Sequence, residues 1–282
     1  MPSKSRYLII TIVSSFMLMG CYELKHVTEF TETSIEALQS YETLPQSFNQ
    51  ICKEDCQLKH VAKFNIHRTQ CDCSPEVKAD SITNIIYSTS LEYLNGLLAV
   101  SDKQLAKYQT ADLTTTLSTG NYGPLKLNEN DVKAYSTLSS LLLRTFSGIN
   151  QRKKIKSYVI DGYQPFQQLL TFLELNVHGN IYGKLEVQKQ SIKNFYFDHV
   201  NNKNLSTYER TKFAEDYFNA LNNIEAQQKE LDVFSEILSE IKAGHTLLYE
   251  HIEGLKNDEV KSGLARLGSR MSLAVRIISD LN

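Results

Sequence analysis

One register of apolar residues dominates the C-terminal half of the chain. Tyr217, Leu221, Ile224, Leu231, Phe234, Leu238, Ile241, Leu248, Ile252 and Leu255 follow one another at steps of three, four and seven residues. That spacing lines them along one side of an α-helix, and no strand presents them together. Two polar residues, Gln228 and His245, occupy seam positions in the same register. Ser206-Thr207-Tyr208-Glu209 opens the segment as a capping box. A continuous helix over 206–254 would be about 73 Å long at about 1.5 Å per residue, unless Gly244 kinks it. A long helix with an apolar stripe needs other long helices to cover it. The expected fold is therefore all-α: an elongated multi-helix bundle with long antiparallel helices.

The rest of the chain agrees with this class. There are only 12 Gly and 5 Pro in 282 residues, few helix breakers for that length. A first helix is expected within 22–43, alone or after a tether, and Pro45 ends it. A second covers about 46–63. Ser74-Pro75-Glu76 reads as a helix start: Ser can cap, Pro suits the first turn and Glu complements the dipole. The stripe from Val77 through Tyr93, Leu97 and Tyr108 to Leu117 carries helix towards Gly120, with Ser101 and Gln104 as a restart. Residues 119–130, with Gly120, Gly123 and Pro124, read as the clearest loop. Val132, Tyr135, Leu138, Leu142, Phe146 and Ile149 mark the next helix, starting near Asn128 to Asp131. Gly162 and Pro165 are expected to bend or break the path after that, and Gly179 and Gly183 to interrupt it again. A helix over 184–200 follows. After Asn257, a last helix with the stripe Val260, Leu264, Leu267, Met271, Val275 and Ile278 runs to about 281.

The N-terminus has a different character. Lys4 and Arg6 precede an apolar run, Tyr7 to Met19, of about 13 residues, short of the roughly 20 that span a bilayer. Gly20 and Cys21 close it. Charged, apolar, small is the layout of a secretory signal. Leu18-Met19-Gly20-Cys21 resembles the bacterial lipobox. The resemblance covers residues 1–21 alone. It implies cleavage before Cys21, a diacylglyceryl group on the Cys21 sulfur and an acyl chain on its new amino group. Two or more chains give stable attachment where one is marginal. In this family Asp after the Cys often retains the protein in the inner membrane. Tyr22 stands there, so the resemblance implies an outer-membrane lipoprotein facing the periplasm, with the lipid bilayer as partner through Cys21.

Removing 20 of the 282 residues leaves 262, and takes two basic residues and no acids, so the net charge moves from −2 to −4. This balance gives no electrostatic reason to expect a nucleic-acid partner. The expected organisation is a signal over 1–20, a tether with a disulfide-stapled helical segment over 21–74, and the bundle over 75–282.

Four cysteines remain: Cys52, Cys56, Cys71 and Cys73. An even set in an exported chain reads as a disulfide framework. Cys52 and Cys56 share a helix face, so the two pairings that staple this helix to the 71–73 connector are expected over the third. A rival reading is a metal-binding or thiol-redox lipoprotein using the same four residues. His60 continues the Cys52–Cys56 face, His67 lies in the connector, and Cys with His suits Zn²⁺ or Cu(I).

Elsewhere the chemistry is sparse. Glu23-Leu24-Lys25-His26 is a single Glu-x-x-His, whereas di-iron bundles use two. No H-E-x-x-H, G-x-S-x-G or P-loop pattern occurs. Gly120-Asn121-Tyr122-Gly123 follows a helix and reads as a turn. His245 has no convergent acid or base on its own helix and reads as a core or register residue. The sequence thus points to no cofactor, no resident metal and no catalytic residue. It points to a non-catalytic helical module that binds an envelope protein partner or serves as a structural element.

Overall fold

The computed structural model describes residues 24–63, 71–101, 117–143 and 151–281. Over these residues the protein is an all-α multi-helix bundle with one two-stranded hairpin. We number the helices α1 (Lys25–Gln39), α2 (Phe48–Ala62), α3 (Ser74–Ser101), α4 (Glu129–Leu142), α5 (Gln151–Glu174), α6 (Tyr182–Asn201), α7 (Thr207–Glu250) and α8 (Asp258–Leu281). A short 3₁₀ turn, Ser40–Thr43, extends α1, and a π-helical turn, Leu175–Ile181, joins α5 to α6.

Helix α7 sets the long dimension. Its 44 residues span about 66 Å at about 1.5 Å per residue, and it runs unbroken through Gly244. Its start is the predicted capping box, with Ser206 accepting from the Glu209 amide and Glu209 accepting from the Ser206 amide. The seam is buried as read from Ile224 to Leu255, including Gln228 and His245.

The path α5–π turn–α6 lies antiparallel along α7. Lys156 pairs with Glu253 at one end, Gln167 reaches the Lys242 carbonyl, His178 meets Asp232, Lys189 meets Glu225, and Arg210 donates to the Val200 carbonyl at the other end. Helix α8 folds back over the C-terminal part of α7, with Arg270 on Glu240 and Leu247 under Gly263. Helix α1 fits between them, Phe30 against Gly244 and Ser34 against Met271. Helices α3 and α4 close the other side over α5. One hydrophobic core joins all of these, from Val27 and Phe48 to Leu170, Phe234 and Ile278.

Three expectations change. Gly162 and Pro165 do not break the path: α5 is continuous through both. Gly162 is small because Tyr93 packs on it, at a distance where an added Cβ would meet the Tyr93 ring at 2.3 Å. Burial of Phe166, Leu169 and Leu170 outweighs the hydrogen bond that Pro165 cannot donate. Gly179 and Gly183 do not interrupt either; the chain widens into the π turn and continues. Finally, the 119–130 loop holds strands β1 (Gly120–Tyr122) and β2 (Leu125–Leu127), paired Gly120 with Leu127 and Tyr122 with Leu125. Gly123, at φ 59°, takes the first place of the two-residue turn, where a positive φ is needed. Leu125 and Leu127 point inward and pin the hairpin to the core.

Other boundaries follow local chemistry. Asn128 and Asp131 form the capping box of α4, and Ser47 caps α2. At the start of α3 the amide of Ser74 is satisfied by the Asp72 carboxylate. Tyr108 and the Ser101–Gln104 restart, as well as Phe146 and Ile149, involve residues outside those described.

Candidate functional site

Cys21, with Lys4, Arg6 and the apolar run, lies outside the described residues, as does His67. No helix among the described residues is long and apolar enough to cross a membrane.

The other four cysteines come together. Cys52 pairs with Cys73 and Cys56 with Cys71, so both bonds staple α2 to the connector ahead of α3. Of the two pairings expected, the structure takes the nested one. The chain doubles back between the helices, so the residue farther along α2 meets the nearer one in the connector. The enclosing bond, Cys52–Cys73, is the better shielded at one end, because Cys73 is buried whereas Cys52, Cys56 and Cys71 are half-buried. His60 sits one turn beyond Cys56, and its ring nitrogen and the sulfurs of Cys56 and Cys71 lie within 4.8 Å of one another. Cysteines bonded as disulfides are not thiolates, so in this oxidation state they are not metal ligands. The stapled corner also touches α6: Gln188 donates to Glu54, and Lys184 reaches Glu76.

His245 is fully buried, as expected of a core residue. Its Nε2 lies 2.8 Å from the Tyr93 hydroxyl. Tyr158 stacks on Tyr93 and donates to the Tyr93 carbonyl, and Phe166 meets the His245 ring edge-on. Burial holds the His245 pKa down at about 3 and pushes the Tyr93 hydroxyl well up. At neutral pH both are uncharged, and among the described residues no carboxylate bonds to the imidazole. The node joins α3, α5 and α7, and burial favours the neutral form of its imidazole. His26, the Glu-x-x-His residue, lies beside the backbone of Leu255, and burial lowers its pKa.

The feature missed in the sequence is the far end of the α6–α7 pair. From residue 193 to residue 223 no side chain is buried, because α8, α1 and α5 do not extend that far. Among the described residues two helices form an arm, closed by residues 202–206. Its seam is aromatic: Tyr196 meets Phe213 and Tyr217, and His199 lies edge-on to Phe213. Outside the seam, Phe197 is 63 % exposed, Tyr208 78 % and Phe218 57 %. These three are large aromatics of a kind that folded proteins ordinarily cover. The signal was present in the sequence as aromatics adjacent to the seam, which periodicity alone assigns to a core. The arm is balanced in charge, four basic residues against four acidic over 193–223. The arm lies at the opposite end of α7 from the start of α1, where His26 sits beside Leu255 and Lys261.

No family model, no curated protein and no solved structure matches this chain.

Proposed function

We propose that the chain is a lipid-anchored bacterial envelope protein, tethered through Cys21 at the outer membrane facing the periplasm, whose α6–α7 arm binds a helical segment of another envelope protein. The observation that carries this reading is the arm itself, a two-helix layer with exposed Phe197, Tyr208 and Phe218. Cys21 is three residues ahead of Leu24, a reach of about 10 Å at full extension. An anchor there holds the Leu255 end near the bilayer. With α7 standing along the bilayer normal, the arm tip stands off by about the length of α7, roughly 66 Å. At that distance the anchoring bilayer is not what covers the aromatics. Balanced charge argues against a nucleic acid or a strongly acidic surface. A third helix laid along the α6–α7 seam restores the layer that α8 supplies further along α7. The work proposed is binding, without chemistry at the arm.

The test uses the full chain in detergent-solubilised envelopes, cross-linked from the arm. Phe197→Ser with Phe218→Ser should abolish a cross-linked product that survives Phe→Ser at Phe172, a buried control that acts only through stability. A product whose mass is twice that of the chain identifies a second copy as the occupant and rejects a separate partner. A product unaffected by the arm changes rejects the reading altogether.

A further inference from the structure

We infer that the enclosed disulfide, Cys56–Cys71, is a reducible latch over a thiophilic metal site, with His60 as the third ligand and Zn²⁺ as the class of ion it takes. The inference is independent of the arm and of its partner.

Three ligand atoms of the right kind already converge within 4.8 Å. On a tetrahedral Zn²⁺, with Zn–S near about 2.3 Å and Zn–N near about 2.0 Å, two sulfurs lie about 3.8 Å apart and sulfur and nitrogen slightly less. Reduction has only to part the two sulfurs to about that separation, and their Cα atoms, 6.2 Å apart, need not move far. Cys56 and His60 stand four apart on α2, the helical spacing that puts two ligands on one face, and Cys71 approaches from the connector.

The enclosing Cys52–Cys73 bond makes the Cys56–Cys71 bond expendable. With Cys56–Cys71 open, Cys52–Cys73 still holds α2 to the start of α3, and its Cys73 end is only 5 % exposed. The ligands therefore remain arranged rather than dispersed into a flexible loop. Access differs in the same direction: Cys56, His60 and Cys71 are all half-buried and open to a small reagent. A dithiol reductant supplies two electrons and two protons: the Cys56–Cys71 bond breaks, two thiols form, and the reagent leaves as its own disulfide. Zn²⁺ then displaces the two thiol protons and accepts the neutral imidazole lone pair of His60. Three protein ligands leave one coordination position open.

The experiment uses the purified full chain, treated anaerobically with a limiting dithiol, desalted, and titrated with Co²⁺ as the optical probe and Zn²⁺ as competitor. Mass mapping after alkylation should find Cys56 and Cys71 modified and Cys52–Cys73 intact. One Co²⁺ should bind with sulfur-to-metal charge-transfer absorption and be displaced by Zn²⁺. The oxidised chain should show no such band. His60→Ala leaves both disulfides in place, so it folds through the same staples, and should weaken Co²⁺ binding by at least about tenfold, or about 1.4 kcal/mol. Equal alkylation of all four cysteines, no sulfur band, or unchanged affinity in His60→Ala each overturns the inference.

Discussion

The Tyr93 hydroxyl and His245 Nε2, 152 residues apart in sequence, lie 2.8 Å from each other in a site closed to solvent. Burial holds the imidazole neutral, with its pKa at about 3 against about 6.5 in an unfolded chain. Between those values the unfolded chain binds a proton that the folded one refuses, so this residue makes stability fall as pH falls. The effect is absent above the unfolded value and is complete once pH drops below the folded one. Its slope approaches about 1.4 kcal/mol per pH unit. We expect urea unfolding from pH 7 to pH 4 to show a shallower loss in His245→Gln than in the natural chain. At pH 7 the substitution should change stability by about 1–2 kcal/mol. Parallel pH profiles for the two chains would show that His245 titrates alike in the folded and unfolded states.

Gly162 and Gly183 should respond to alanine with opposite signs. Alanine in a helix is favoured over glycine by about 1 kcal/mol. At Gly183 nothing lies within 4 Å of an added Cβ, so Gly183→Ala should stabilise by about 0.5–1 kcal/mol. At Gly162 the Cβ would meet the Tyr93 ring at 2.3 Å, and that ring is held by Tyr158, Phe166 and His245. Overpacking of that kind costs about 1–3 kcal/mol, so Gly162→Ala should lower the melting temperature. A stabilised Gly162→Ala would mean that the Tyr93 ring has room to move.

That same glycine shows where sequence reading stops. The seam on α7, the stripe on α8, the helix start near Asn128 and the capping box at Ser206 are local patterns, and each is found where periodicity and capping chemistry put it. Gly162 and Pro165 looked like breakers because propensity knows nothing of Tyr93 or of the core under Phe166. The hairpin at Gly123 was read as a loop because its strands have three residues each, too few for alternation to register. The cysteine framework was legible to within two pairings, and the choice between them depends on the direction in which the connector returns. His60 was visible as a face neighbour of Cys56, but its approach to Cys71 depends on that return. The arm at 193–223 left only off-seam aromatics as a trace in the sequence, since a seam pattern does not say how many helices share it.

Mapping of the native disulfides should give Cys52–Cys73 and Cys56–Cys71, with no free thiol among the four. Replacing Cys52 and Cys73 together by Ala frees a loop of sequence separation 21. Loop closure of that size is worth about 3 kcal/mol in the chain-entropy treatment, less whatever the surviving Cys56–Cys71 bond retains. Guanidinium unfolding should therefore show a larger loss for the double pair replaced than for either pair alone.

Cys21→Ser removes the atom that the lipobox resemblance assigns to the diacylglyceryl group. The expected result is a chain without acyl mass, recovered from the soluble rather than the membrane fraction. Intact mass decides it. A natural chain beginning at Cys21 with no added acyl groups refutes the anchor.

Amide exchange should divide α7 along its length, although it is one unbroken helix. Between Ile224 and Leu248 the seam is buried under α5, α8 and α1. Between Thr207 and Asn223 it faces only α6, and no side chain is buried. Regular hydrogen bonding is the same in both parts, so protection differs only through the packing that must be lost when a segment opens. Amides near Leu238 should exchange only through global unfolding and follow the stability of the whole chain in denaturant. Those near Phe213 should open locally, with little dependence on denaturant, because little apolar surface is exposed. Ser206→Ala, which removes the capping box at the arm's closed end, should raise exchange in the arm by about 1 kcal/mol of local stability and leave Leu238 unchanged. Uniform protection along α7 in the isolated chain would mean that the arm is already covered, and that its exposed aromatics have found their partner in a second copy.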